Sequence, residues 1–252
     1  MRKITLLLLI GWVFALTGDE LAQKMDSQRT PIDSKVDLLM TLTNQKGKTR
    51  SSSLHSITKD DGTKQMIWFL EPADDKGISF LKIEHDDRDD EMRIWLPAFK
   101  KIRRISAKKR SDSFMGSDMS YEDLSSRQLD EFNFFLKGQE VYDGISCHLL
   151  ESLPKEHIRT EYTRHVTWVD STLLIPLKEE SYDKSGQLLK EKYFSYTIIK
   201  KYQILTKVHV TNIQKNHSTN LKFENIVLDS GIEDDLFHER YLKRLPILKP
   251  IK

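Results

Sequence analysis

The chain has 252 residues, with 40 Lys and Arg against 38 Asp and Glu, a formal charge of +2. Arg2 and Lys3 supply that excess, so the rest is neutral, which argues against a dedicated nucleic-acid binder. One cysteine, Cys147, cannot form an internal disulfide, so stability must come from core burial, for which a chain of this length suffices.

Arg2 and Lys3 precede a mostly apolar run, Ile4 to Leu16, and the small residues of Ala15-Leu16-Thr17-Gly18. That is the pattern of a secretory signal peptide over residues 1–18. The run is shorter than the ~20 residues a membrane span needs, although an uncleaved anchor is the competing reading. No cysteine follows it to accept a lipid. Export without disulfides fits a bacterial periplasm. Residues 19–252 read as one domain.

Asp19 can cap a short helix through Leu21, Ala22 and Met25. Alternation then dominates: in VDLLMTL, Val36, Leu38, Met40 and Leu42 share one face. Asp61-Gly62 and Asp143-Gly144 are hairpin signals. GISFLKI and EMRIWL flank an acidic tip, EHDDRDDE. RHVTWVD, LIPLKEESYD, QLLKEKYFSYTII, QILTKVHVTN and TNLKFENIVLD continue the series. IEDDLFHERYLKRL reads as a terminal helix, acidic in its first turn and basic in its last. About ten or eleven strands with short connections predict a mainly-β fold with few helices. The apolar face of such an antiparallel sheet must close on itself, stack or be covered. Residues 97–127 form one long stretch without strand signal; a loop of that length is functional or mobile.

Seven of the eleven residues from Lys100 to Arg110 are Lys or Arg. Arg103, Arg104 and Lys108 suit anionic headgroups or an acidic partner, each cation near such a surface adding ~1 kcal/mol. The plainer reading is a solvated rim that balances the acidic tip. Gly116 permits a turn, Ser117 or Asp118 a cap, and Ser120 with Asp123 approximates a capping box. Ser117 lacks a G-x-S-x-G elbow, so capping outweighs nucleophilic chemistry. His148, His157 and His165 lack metal-ligand spacing, and the acids at 86–90 lack the calcium-loop pattern. No catalytic residue, metal or cofactor is expected. Trp68, Trp95, Phe99, Phe114, Met115 and Phe134 are candidates to line an apolar hollow, against the plainer reading that they are core.

Four segments carry a resemblance: Leu96-Pro97-Ala98, Arg103-Arg104-Ile105, Phe114-Met115-Gly116-Ser117-Asp118 and Tyr121-Glu122-Asp123-Leu124. With Leu236-Phe237 and Tyr241-Leu242, they resemble the signature of the outer-membrane lipoprotein-sorting proteins, relatives of the LolA and LolB carriers. The resemblance is best from Pro72 to Leu245. It implies a strongly curved antiparallel sheet, an incomplete barrel with helices covering its concave face. It also implies a periplasmic carrier of lipoprotein acyl chains or lipid, with an inner-membrane transporter or outer-membrane acceptor as partner. A monomer is expected. On that expectation, residues 97–127 form a flap or rim whose apolar residues meet acyl chains and whose cations meet headgroups or a partner. The alternative is a periplasmic sensor or adaptor of a resistance-nodulation-division transporter that binds a protein on the same fold.

Overall fold

The computed structural model describes residues 16–85 and 87–246, so nearly all of the expected signal peptide lies outside the described residues. The first strands are β1 (Asp33–Thr43), β2 (Thr49–Lys59), β3 (Lys64–Glu71), β4 (Ser79–Ile83), β5 (Glu91–Leu96) and β6 (Lys101–Arg104). The remainder are β7 (Phe132–Tyr142), β8 (Ile145–Pro154), β9 (Arg164–Asp170), β10 (Pro176–Tyr182), β11 (Leu188–Ile199), β12 (Tyr202–Asn212) and β13 (His217–Leu228). They form one antiparallel sheet in the order β6-β5-β4-β3-β2-β1-β13-β12-β11-β10-β9-β8-β7. Every neighbouring pair is consecutive in sequence except β1 with β13, and the edges β6 and β7 do not meet, so the sheet is open. The Asp-Gly signals hold: Asp143 (φ 48°) and Gly144 (φ 78°) turn the chain between Tyr142 and Ile145, with positive φ at both central residues as a tight hairpin requires.

Thirteen strands exceed the ten or eleven expected. β6 falls inside the stretch read as strandless, because Lys101, Arg103 and Arg104 leave Ile102 as its lone apolar signal. The terminal helix is also corrected. Asp234–Phe237 and Glu239–Lys243 are two short 3₁₀ turns, interrupted at His238 by extended backbone (ψ 144°). The reason is register: Phe237 and Leu242 are both buried against the sheet, and five residues on an α-helix lie ~140° apart. Among the described residues no helix is long and apolar enough to cross a membrane.

Pairing register sorts the side chains into two faces. One face, called inner here, carries Leu38, Leu54, Phe69, Phe80 and Ile94 on the β1–β5 half. On the other half it carries Thr219, Val210, Lys192, Glu179, Thr167, Leu150 and Leu136. The chain leaves β6 at one edge and must reach β7 at the opposite edge. Residues 105–131 make that crossing over the inner face, burying Ile105, Phe114 and Tyr121 against Phe69, Phe80 and Met92. On the outer face Ile57, Met66, Trp68 and Leu81 are covered by Ile232, Phe237 and Leu242. The cover of these two clusters is thus an irregular crossover and 3₁₀ turns, and among the described residues one α-helix alone meets the expectation of covering helices.

The one α-helix among the described residues, α1 (Gly18–Asp26), packs Leu21 and Ala22 on Leu150 and Val169 at the far end of the inner face. Thr17 and Glu20 cap it reciprocally, as the box motif does. Gly18 lies directly on β7: a Cβ there would stand 2.5 Å from the Phe134 carbonyl. In a chain that keeps Thr17 and Gly18, Gly18→Val is therefore expected to lift α1 from the sheet at a cost of about 1–3 kcal/mol. A urea midpoint equal to wild type would contradict that docking.

Candidate functional site

Strands β9, β10 and β11 place charges where a sheet normally places hydrocarbon. Alternation puts His165 and Thr167 (β9), Glu179 and Ser181 (β10) and Lys190 and Lys192 (β11) on the inner face, all buried. A buried charge is tolerated only when paired and hydrogen-bonded. The crossover supplies the partners. The Asp123 carboxylate accepts from Lys192 Nζ at 2.5 Å and Lys190 Nζ at 3.0 Å, and from the Tyr162 hydroxyl at 3.0 Å. Arg127 grips Glu179 with both terminal nitrogens, at 2.6 and 2.7 Å. Lys192 also reaches Glu179 at 3.2 Å, and Lys190 reaches Glu161 at 3.2 Å. Further along, Asp118 accepts from Thr219 Oγ1 and from His217 Nδ1, each at 2.7 Å, pinning the crossover to β13. The crossover is thus stitched across the sheet by Asp118, Asp123 and Arg127 in turn.

These pairings set the protonation states. Burial alone would raise the Asp123 carboxyl, but Lys192 and Lys190 hold it well below the usual carboxylate range. Burial also opposes ionisation of Glu179, which Arg127 and Lys192 nevertheless hold low. Burial and then the neighbouring Arg127 push the His165 imidazole well below its ordinary 6.5. It is neutral, and its Nδ1, which accepts from Arg127 at 3.3 Å, lies 2.8 Å from Ser181 Oγ.

The sign of the pH dependence follows. Below 6.5 an unfolded chain protonates this histidine while the folded one does not, so stability falls as pH drops through that value. Asp123 and Glu179, depressed from 3.8 and 4.5, add a further loss below those values. The urea midpoint should be lower at about pH 5.5 than at about pH 7.5, and His165→Gln should flatten that slope. An unchanged slope would remove His165 as its source.

Beside this seam opens a groove of about 1190 Å³, whose walls include Glu84, Arg110, Asp123, Arg127, Tyr162 and His165.

The six apolar residues expected to share a hollow are not brought together. Phe114 is core: its ring lies 5.4 Å from Phe80 and 5.7 Å from Tyr121. Met115 (φ 51°) and Gly116 (φ 80°) form the tight turn beside it, closed by Ser117 N donating to the Phe114 carbonyl at 2.9 Å. Ser117 Oγ bonds the Met119 backbone at 3.3 Å, and Asp118 anchors the turn to β13 rather than capping a helix. Ser120 and Asp123 do cap reciprocally. Trp68 and Trp95 lie on the outer face under the terminal turns, and Phe134 lies under α1. Phe99 is 61% exposed, stacked under the Arg103 guanidinium at 5.1 Å.

Arg103, Arg104 and Lys108 are exposed and make no ion pair among the described residues. The basic run meets the acidic tip through Arg110, 3.0 Å from Asp90. Sequence reasoning missed Arg127, Glu179, Lys190 and Lys192. The signal was there in the alternation of KEES and LKEK, but Glu180 and Glu191 make the opposite faces equally polar, so periodicity alone could not say which side faced inward.

Residues 61–244 match a family model whose description reads "Uncharacterized protein". No curated protein matches the sequence. Among solved structures, one described as an outer membrane lipoprotein-sorting protein domain from Vibrio parahaemolyticus is 32% identical, at TM-score 0.85 over 90% of this chain and 98% of that one. A DUF1329 family protein from Desulfovibrio piger is 34% identical, at TM-score 0.84 over 89% and 97% of the two chains. A LolA superfamily protein from Nitrosomonas europaea shares the fold at 19% identity and TM-score 0.72, over 90% of this chain and 100% of that one. The chain therefore belongs to the family of the Vibrio lipoprotein-sorting domain and the Desulfovibrio DUF1329 protein, and it shares its fold with the LolA superfamily protein.

Proposed function

We propose that this protein is a periplasmic carrier that shields lipidated or hydrophobic cargo, an outer-membrane lipoprotein or a lipid, on the inner face of its sheet. One observation carries the reading. The apolar β1–β5 half of that face is covered by an irregular turn that contributes Phe114 and Tyr121, not by a second sheet or a helix. Burying each CH₂ gains ~0.8 kcal/mol, so an acyl chain can replace that cover. The crossover then acts as the flap, and Phe114 and Met115 give way to hydrocarbon. Phe99, Arg103, Arg104 and Lys108, on and beside the exposed β6 edge, meet headgroups, a transporter or an acceptor.

The same unpaired cations on an open edge favour a second reading, an adaptor that binds a membrane protein there. Arg103→Ala with Arg104→Ala would then abolish partner binding and leave lipid handling intact. The primary test is native mass spectrometry, with lipid extraction, of protein purified from the periplasm. Acyl species should co-purify. Their absence from both wild type and Phe114→Ala would count decisively against the carrier.

A further inference from the structure

We infer that Lys190, Lys192 and Tyr162 form a binding site for the phosphate-type anionic headgroup of an amphiphile, and that Asp123 occupies it as an internal stand-in. The inference rests on the carrier reading and names the chemistry of its cargo.

The two sides of the site belong to different parts of the molecule. Lys190 and Lys192 stand on β11, in the middle of one half of the sheet, whereas Asp123 rides on the crossover. If the crossover lifts as far as Asp123 while Arg127, five residues short of β7, keeps its two bonds to Glu179, the carboxylate leaves and the donors stay. The remaining groups do not balance: Arg127, Lys190 and Lys192 face only Glu179 and Glu161. His165 is neutral and contributes no charge. One positive charge is left over in a buried place, and such a charge is strongly unfavourable without a counterion. An uncharged cargo could displace Phe114 and Tyr121 but would leave that excess. A phosphate monoanion removes it, and its several oxygens suit two ammonium groups and a phenol at once.

Position supports the same assignment. Lys192 lies opposite Val210, Val210 opposite Thr219, and Thr219 opposite Leu42, which packs on the apolar cluster. The anion site and the apolar half are thus three strand spacings apart, ~14 Å, on one continuous face. The crossover fills both at once, with Phe114 and Tyr121 on the apolar part and Asp123 on the cationic part. It has the layout of an amphiphile. Asp123 and Tyr162 also line the groove, so a headgroup has a way in from solvent.

The test is calorimetric titration of the full chain, wild type and Asp123→Asn, with three probes: dodecyl phosphate, dodecyl maltoside and inorganic phosphate. Removing the internal competitor raises the competent fraction. Dodecyl phosphate should therefore bind Asp123→Asn at least about tenfold more tightly than wild type, with dodecyl maltoside changing less than about twofold. Inorganic phosphate should bind either protein much more weakly. No gain for dodecyl phosphate, an equal gain for the maltoside, or inorganic phosphate binding as tightly as dodecyl phosphate would each overturn the inference.

If Asp123→Asn does not fold, hydrogen exchange on wild type decides. Dodecyl phosphate, and not the maltoside, should speed exchange of the Phe114 and Tyr121 amides, which the crossover now protects through Met119 and Asp112. Unchanged exchange overturns it. Failure of the carrier reading looks different: neither amphiphile would bind any variant, Phe114→Ala included.

Discussion

Glu179→Ala should destabilise the protein by about 3–5 kcal/mol, the cost of leaving buried cations without their partner. Glu179 holds Arg127 by two hydrogen bonds and Lys192 by a third, and all its contacts lie beneath the crossover. Urea unfolding at neutral pH measures the loss. The double variant Glu179→Ala with Arg127→Met should recover part of it, since no guanidinium then remains to be desolvated. A loss under about 1 kcal/mol, typical of exposed pairs, would mean that water reaches the seam and that it does not fasten the crossover.

The second large effect is expected at Phe114. Truncation to alanine removes a ring packed among Phe69, Phe80 and Tyr121 and should cost about 3–5 kcal/mol. A residue that is only core leaves a cavity and nothing else. A residue that holds a replaceable cover leaves an opening as well. Phe114→Ala should therefore also bind a hydrophobic fluorophore that wild type binds weakly, while remaining cooperatively folded. Loss of stability with no gain in dye binding would make Phe114 an ordinary core residue and weaken the flap.

The sequence carried the sheet well, because its signals are local. Asp61-Gly62 and Asp143-Gly144 turn hairpins where expected, and Leu38, Met40 and Leu42 share the inner face as their alternation implied. It carried the covers poorly, because those depend on which strand ends at which edge. Residues 97–127 looked like a loop hung on the rim. Topology instead forces their second half across the whole inner face, from β6 to β7, and so turns Phe114 into core. Trp68 shows the complementary limit. In KQMIWFL both faces of β3 are apolar, so composition could not say that Ile67 and Phe69 face the crossover while Met66 and Trp68 face the terminal turns. The charged seam was invisible for a related reason: its members are paired across 67 and 69 residues of sequence for Lys190 and Lys192 with Asp123, and 52 for Arg127 with Glu179.

The single non-consecutive pairing governs how the molecule can be made. Ser34 finds its neighbour in Leu228, 194 residues further on. A polypeptide emerging N-terminus first, from a ribosome or an export channel, presents one side of β1 as an unpaired edge until β13 has been delivered. Contacts this distant slow folding and expose sticky intermediates. Maturation is thus deferred until β13 emerges, and anything that keeps nascent chains apart until then should raise the yield of native protein.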